Sequence, residues 1–189
     1  MNVGSATLTV DSGTVTIEGT LDVSSGSLDI DSGTVSVSGI VDVTNGVSVT
    51  IDTAGRLDVS GTLTVADFNT TLTVNGDLHI ADGGTVFVNP SSEIAIHGTV
   101  MIEHGGVLNI ETNGGVQVFD GGILTVDGQL EVLDDGILYI KGGSVTVHPG
   151  DALDVRGGLS ILDGTLTVDG DMTIYSHGAR STSSTAAPR

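Results

Sequence analysis

Residues 7–23 read TLTVDSGTVTIEGTLDV. Within them Leu8-Thr9-Val10, Val15-Thr16-Ile17 and Leu21-Asp22-Val23 repeat one pattern: aliphatic, polar, aliphatic, then a polar corner. Alternation with a period of two marks a strand with one buried face, so the aliphatic flanks point inward and the middle residue outward. The pattern recurs 24 times, ending at Leu166-Thr167-Val168 and Met172-Thr173-Ile174. Single spacings between triplets vary from 6 to 9 residues, but every third triplet recurs at steps of 20 to 23. Three short strands therefore complete one coil, and repeats of this length are the signature of a solenoid. The pattern predicts an all-β, single-stranded, three-sided parallel β-helix over residues 1–174, of about 8 coils of 20–23 residues. Strands stacked about 4.8 Å apart give a rod of roughly 38 Å.

Val74-Asn75-Gly76-Asp77, Val126-Asp127-Gly128-Gln129 and Val168-Asp169-Gly170-Asp171 also resemble two-residue hairpin turns. A hairpin at Asp127-Gly128 would place Val126 and Gln129 on one face and turn Leu130 and Val132 outward. A corner in a coil keeps Leu124, Val126, Leu130 and Val132 in one interior, which favours the solenoid. Glycines at corners, such as Gly13, Gly33, Gly55, Gly61, Gly98 and Gly128, suit positions needing positive φ. Pro90 and Pro149 also fall in corners, where no ladder donor is lost.

Composition narrows function mainly by exclusion. Five Lys and Arg stand against 24 Asp and Glu, a formal net charge of −19. Nucleic-acid binding requires clustered cations to neutralise phosphates, so it is not expected. Membrane insertion is not expected either, because no apolar run approaches the ~20 residues needed to span a bilayer. Met1 to Val10 lacks the charged and apolar regions of a signal peptide. With no cysteine, thiolate chemistry and disulfides are absent and the redox compartment is undetermined.

Three kinds of candidate site emerge. In the coil register Asp11, Asp31 and Asp52 stack at one corner, and the mutual repulsion of such a column would be relieved by a cation such as Ca²⁺ or by salt. Aspartate is also a good turn residue on its own account. Asp22 with Asp42, and Glu131 with Asp154, stack likewise. The second kind is apolar residues at outward positions: Ile40, Phe68, Phe87, Met101, Val107, Phe119, Ile123, Ile137 and Tyr139. So many on a thin rod suggest lateral packing. The third is the ends. No amphipathic capping helix flanks the triplets, so Leu8 and Val10 at one extremity and Met172 and Ile174 at the other are expected to invite a second copy. Head-to-tail addition of this kind propagates into a filament.

Other readings have weaker support. Thr-x-Thr pairs such as Thr14/Thr16 and Thr165/Thr167 resemble the ranks of ice-binding β-helices, but Arg56/Asp58 and Asp77/His79 interrupt the rank. The longest corner, residues 66–71, is too short to wall the substrate groove of a polysaccharide-acting enzyme, and no catalytic residue is expected. His79, His97, His104, His148 and His177 have no regular ligand spacing and read as solvated surface residues. Asn69-Thr70-Thr71 matches a glycosylation sequon. Residues 175–189 read by composition as a Ser/Thr-rich flexible tail or a segment that docks on a neighbour.

Gly61-Thr62-Leu63-Thr64-Val65 and Gly164-Thr165-Leu166-Thr167-Val168-Asp169-Gly170 resemble the solenoid repeats of bacterial autotransporter passengers and haemagglutinin-type adhesins. The architecture is also similar to bactofilins, with longer coils and fewer basic residues. These resemblances imply a structural, surface or scaffolding role, and together with the open ends the chain is expected to be a non-enzymatic protomer of a self-assembling filament or surface fibre, extracellular or at the cell surface. A cytoplasmic scaffold, or a glycan- or ice-binding module, is the alternative.

Overall fold

The computed structural model describes residues 1–175 and the backbone of residues 180–184. All of its regular structure is β. Each of the 24 triplets lies in a strand, and a 25th strand spans Arg180–Ser184. The first three strands, Thr7–Val10, Thr14–Ile17 and Thr20–Val23, each begin one face, and every later strand pairs in parallel with the third strand before it. The result is three sheets, one of nine strands and two of eight. Register follows the sequence repeat residue by residue: Leu8 lies beneath Leu28, Val15 beneath Val35, Leu21 beneath Val41. Among the described residues no strands run in hairpin fashion; the two antiparallel bridges, Phe119 with Gly142 and Lys141 with Asp163, are isolated corner contacts.

The interior is one continuous aliphatic cluster running from Val10 to Leu159. Through the middle coils its members are essentially sealed, as with Val86, Leu108, Leu130 and Leu138 at 0% exposure. Such burial is what makes each coil depend on its neighbours, since a lone coil would leave half of every aliphatic side chain in water.

The corners correct the sequence reading of glycine. Of the six corner glycines singled out, only Gly13 has positive φ, at 78°. The others are glycine because the preceding coil passes too close for a side chain. A Cβ on Gly55 would stand 2.1 Å from the Ile30 carbonyl oxygen, one on Gly61 2.1 Å from that of Gly39, and one on Gly98 2.2 Å from that of Gly76. Positive φ falls instead on other glycines, such as Gly83 and Gly105, and about as often on short polar residues, among them Asn69, Ser91, Asn113 and Asp135, whose side chains tolerate the left-handed region. These four stand one above another at the corner leading into the nine-stranded sheet. Their peptides point to the coil ahead: many corner amides donate to the coil before, as Asp52 N does to Ile30 O, whereas Asn69 N donates to Ser91 O, Ser91 N to Asn113 O and Asn113 N to Asp135 O, as Gly83 N does to Gly105 O at another corner.

The tail reading also changes. Arg180–Ser184 is a strand paired with Gly158–Leu162, and it is the ninth strand of the first sheet. Composition alone points to a linker because serine and threonine carry no aliphatic alternation. The strand is held through its backbone, which pairs on an open edge regardless of side-chain type. Residues 176–179 and 185–189, including His177, lie outside the described residues.

Candidate functional site

At the first end, Asp22 N donates to Met1 O at 2.8 Å and Val3 N to Asp22 O at 3.0 Å, so the first residues lie along Thr20–Val23. The strands Thr7–Val10 and Thr14–Ile17 remain at the margins of their sheets. Leu8, Val15 and Ile17 are half-buried there and, with Met1 and Leu21, line a cavity of about 300 Å³. At the other end Leu166, Val168 and Met172 are half-buried and Ile174 is 50% exposed. Val10 departs from expectation. It is 4% exposed, because its side chain tucks under the corner at Gly33, so it is core and not end surface.

Asp11, Asp31 and Asp52 do come together. The Asp31 carboxyl is held above its ordinary value of 3.8, first by a hydrogen bond with Asp11, then by partial burial and by the negative charges of Asp11 and Asp52. Serine backs the same corner, with the Ser32 hydroxyl donating to the Asp11 carbonyl. The three carboxylates rise one per coil, and among the described residues no group of three His, Cys, Asp or Glu side chains is arranged to hold a metal ion.

The outward apolar residues are divided over three faces. Ile40, Phe87 and Val107 lie on the third, Met101 and Ile123 on the second, and Ile137 and Tyr139 on the first. Ile40, Met101 and Ile123 are exposed, as is Phe68 at its corner. Phe87, Val107, Phe119, Ile137 and Tyr139 are half-buried, because side chains in the flanking coils press against them on both sides. Phe119 stacks flat on His97, ring centroids 4.5 Å apart, with the Lys141 ammonium 5.6 Å from the Phe119 ring and 5.0 Å from that of Tyr139.

His79 is not the solvated residue its spacing suggested. Only 18% of its side chain is exposed, between Asp58 of the coil before and Glu103 of the coil after. Glu103 Oε1 lies 2.8 Å from Nε2, and Arg56 Nη2 lies 2.9 Å from Nδ1. A carboxylate only accepts, so Nε2 donates to Glu103, while Nδ1 also stands 3.1 Å from Asp58 Oδ1 and either accepts from Arg56 in the neutral ring or donates to Asp58 in the charged one. Arg56 Nε in turn donates to Asp58 at 2.6 Å. Charges that interrupt the threonine rank thus tie three coils together. His148 pairs with Asp127 of the coil before. The signal available in sequence was the spacing of Asp58, His79 and Glu103, close to one coil apart.

No family model matches the chain, and no curated protein matches it. Among solved structures it is similar to the TibC-catalysed, hyper-glycosylated fragment of TibA, with 16% identity over 94% of this chain and all of that one, and a TM-score of 0.24.

Proposed function

We propose that this protein is a non-enzymatic structural protomer that stacks head to tail through the two ends of its column to form a filament at or outside the cell surface. The observation that carries the reading is the contrast between middle and ends. An aliphatic core sealed in the middle coils is half-open at Leu8, Val15 and Ile17 on one side and at Leu166, Val168, Met172 and Ile174 on the other. Both surfaces also carry strand margins of the same direction, so a second copy placed end on continues the sheets and covers both. The exposed Met101 and Ile123, on adjacent strands of one face, favour additional side-by-side contact. The likeness of the repeats at residues 61–65 and 164–170 to those of autotransporter passengers supports a place at the cell surface.

Negative-stain microscopy of the purified 189-residue chain tests this. Filaments one column wide are expected. Monodisperse short rods at every salt concentration refute head-to-tail assembly. Gly19 offers a direct probe, since a Cβ there meets no atom within 4 Å on the first-end side of the coil. Gly19→Leu is expected to leave the thermal midpoint in place and shorten or abolish filaments.

A further inference from the structure

A groove runs along the column where the corner row Asn69, Ser91, Asn113 and Asp135 meets the first face, with a volume of about 370 Å³. It exists because of one missing side chain. Gly115 stands at an outward position in register between Glu93 and Ile137, and a Cβ built on it would find its nearest neighbour, Ser92 O, 3.9 Å away. Its φ lies outside the left-handed region, so neither backbone strain nor a close approach explains glycine there. The left-handed corner raises a wall on one side, and Gln117 and Tyr139 form the other.

The wall groups are available to a ligand. The corner backbone amides are consumed by the ladder from Asn69 to Asp135. Among the described residues no side-chain hydrogen bond engages Asn69, Glu93, Asn113 or Asp135. Lys141 donates to the Gln117 side-chain oxygen and so leaves the Gln117 amide hydrogens to donate. The lining therefore offers amide donors, amide and carboxylate acceptors, and one phenol ring, spaced along the axis by about 4.8 Å per coil.

We propose that this groove binds a neutral oligosaccharide laid along the column axis, hydroxyl groups meeting Asn69, Glu93, Asn113, Gln117 and Asp135 and one sugar face lying on Tyr139. Three features select that chemistry. Lys141 at the groove's edge is engaged by Gln117 and lies against the Phe119 and Tyr139 rings, while the carboxylates of Glu93 and Asp135 stand in the lining and the chain carries a net charge of −19, so phosphate, sulfate and uronate ligands are disfavoured. Among the described residues no unpaired strand margin borders it, since its strands lie inside the nine-stranded sheet, so an extended peptide has no ladder to join. Dispersed side-chain donors and acceptors beside an aromatic ring match a ligand with many hydroxyls and weakly polar C–H faces. The groove lies on the flank of the column, so binding does not require the ends to be joined.

Saturation-transfer NMR on the full chain with cellohexaose, chitohexaose, maltohexaose and xylohexaose tests the proposal, with polygalacturonate as the acidic control. At least one neutral probe is expected to bind. Gly115→Leu fills the groove from an unstrained outward position and is expected to abolish the signal, and Tyr139→Ala to weaken binding about tenfold, both with unchanged circular dichroism. The proposal is overturned if no neutral probe binds at millimolar concentration, if polygalacturonate binds better, or if binding survives both substitutions.

Discussion

The α-carbon of Gly39 sits above the carbonyl oxygen of Gly19, so close that a methyl group on Gly39 would stand 2.0 Å from that oxygen. Gly19 occupies the same corner of the first coil and has nothing beneath it. Two glycines in one column are therefore held for different reasons, and substitution separates them. Gly39→Ala must push two coils apart and is expected to destabilise by about 1–3 kcal/mol, as overpacking generally does. Gly19→Ala relieves only unfolded-state entropy and is expected to stabilise by about 0.4–1 kcal/mol. Equilibrium urea unfolding of the two variants measures both, and equal losses would contradict the account.

Asn113 has φ of 58° and is locked there by its forward bond to the Asp135 carbonyl at 3.1 Å. An L side chain without a short polar group pays about 1–2 kcal/mol in this conformation. Asn113→Ala is expected to lower stability by that amount and Asn113→Gly to leave it nearly unchanged. The order of their thermal midpoints decides the point.

The acid column gives a pH dependence with a definite sign. Asp31 binds its proton more tightly folded than unfolded, because Asp11 shares a hydrogen bond with it and the charges of Asp11 and Asp52 oppose ionisation. Between the ordinary value of 3.8 and the raised folded value the native state holds more protons, so this group's contribution is present below 3.8 and is lost as pH rises through the folded value. Asp31→Asn is expected to raise the melting temperature at neutral pH and to match the parent below pH 3.8. A difference that stays constant across that range would show that the column does not act through charge.

Assembly should respond to salt. With 24 acidic against five basic residues, two columns approaching end to end repel. Raising ionic strength from about 10 mM to about 150 mM shortens the screening length from roughly 30 Å to roughly 8 Å. Sedimentation is expected to show longer assemblies at the higher salt. Assemblies that dissolve as salt is added would mean that charge attraction, and not the apolar ends, joins the copies.

Strand identity was readable residue by residue because alternation has a period of two and each coil repeats it three times. Leu124, Val126, Leu130 and Val132 lie inside as the alternation requires. The glycines were readable as corners but not by cause, since a close approach at Gly61 and a left-handed turn at Gly13 leave the same letter in the sequence. His79 looked solvent-facing because outward parity says only which side of the sheet a residue occupies. How deeply it lies depends on Arg56, Asp58 and Glu103, side chains in other coils.

The sequence by itself determined the solenoid, its three faces and its register, since those follow from local alternation summed over a fixed period. Tertiary structure alone decided what the outside of the column offers: Val10 drawn into the core, the Asn69–Asp135 row turned outward, and the groove floored by Gly115. Those outcomes depend on the depth and tilt of each coil over the one before it. A one-dimensional pattern carries the order of the coils, but not the fractions of an ångström by which they miss or meet.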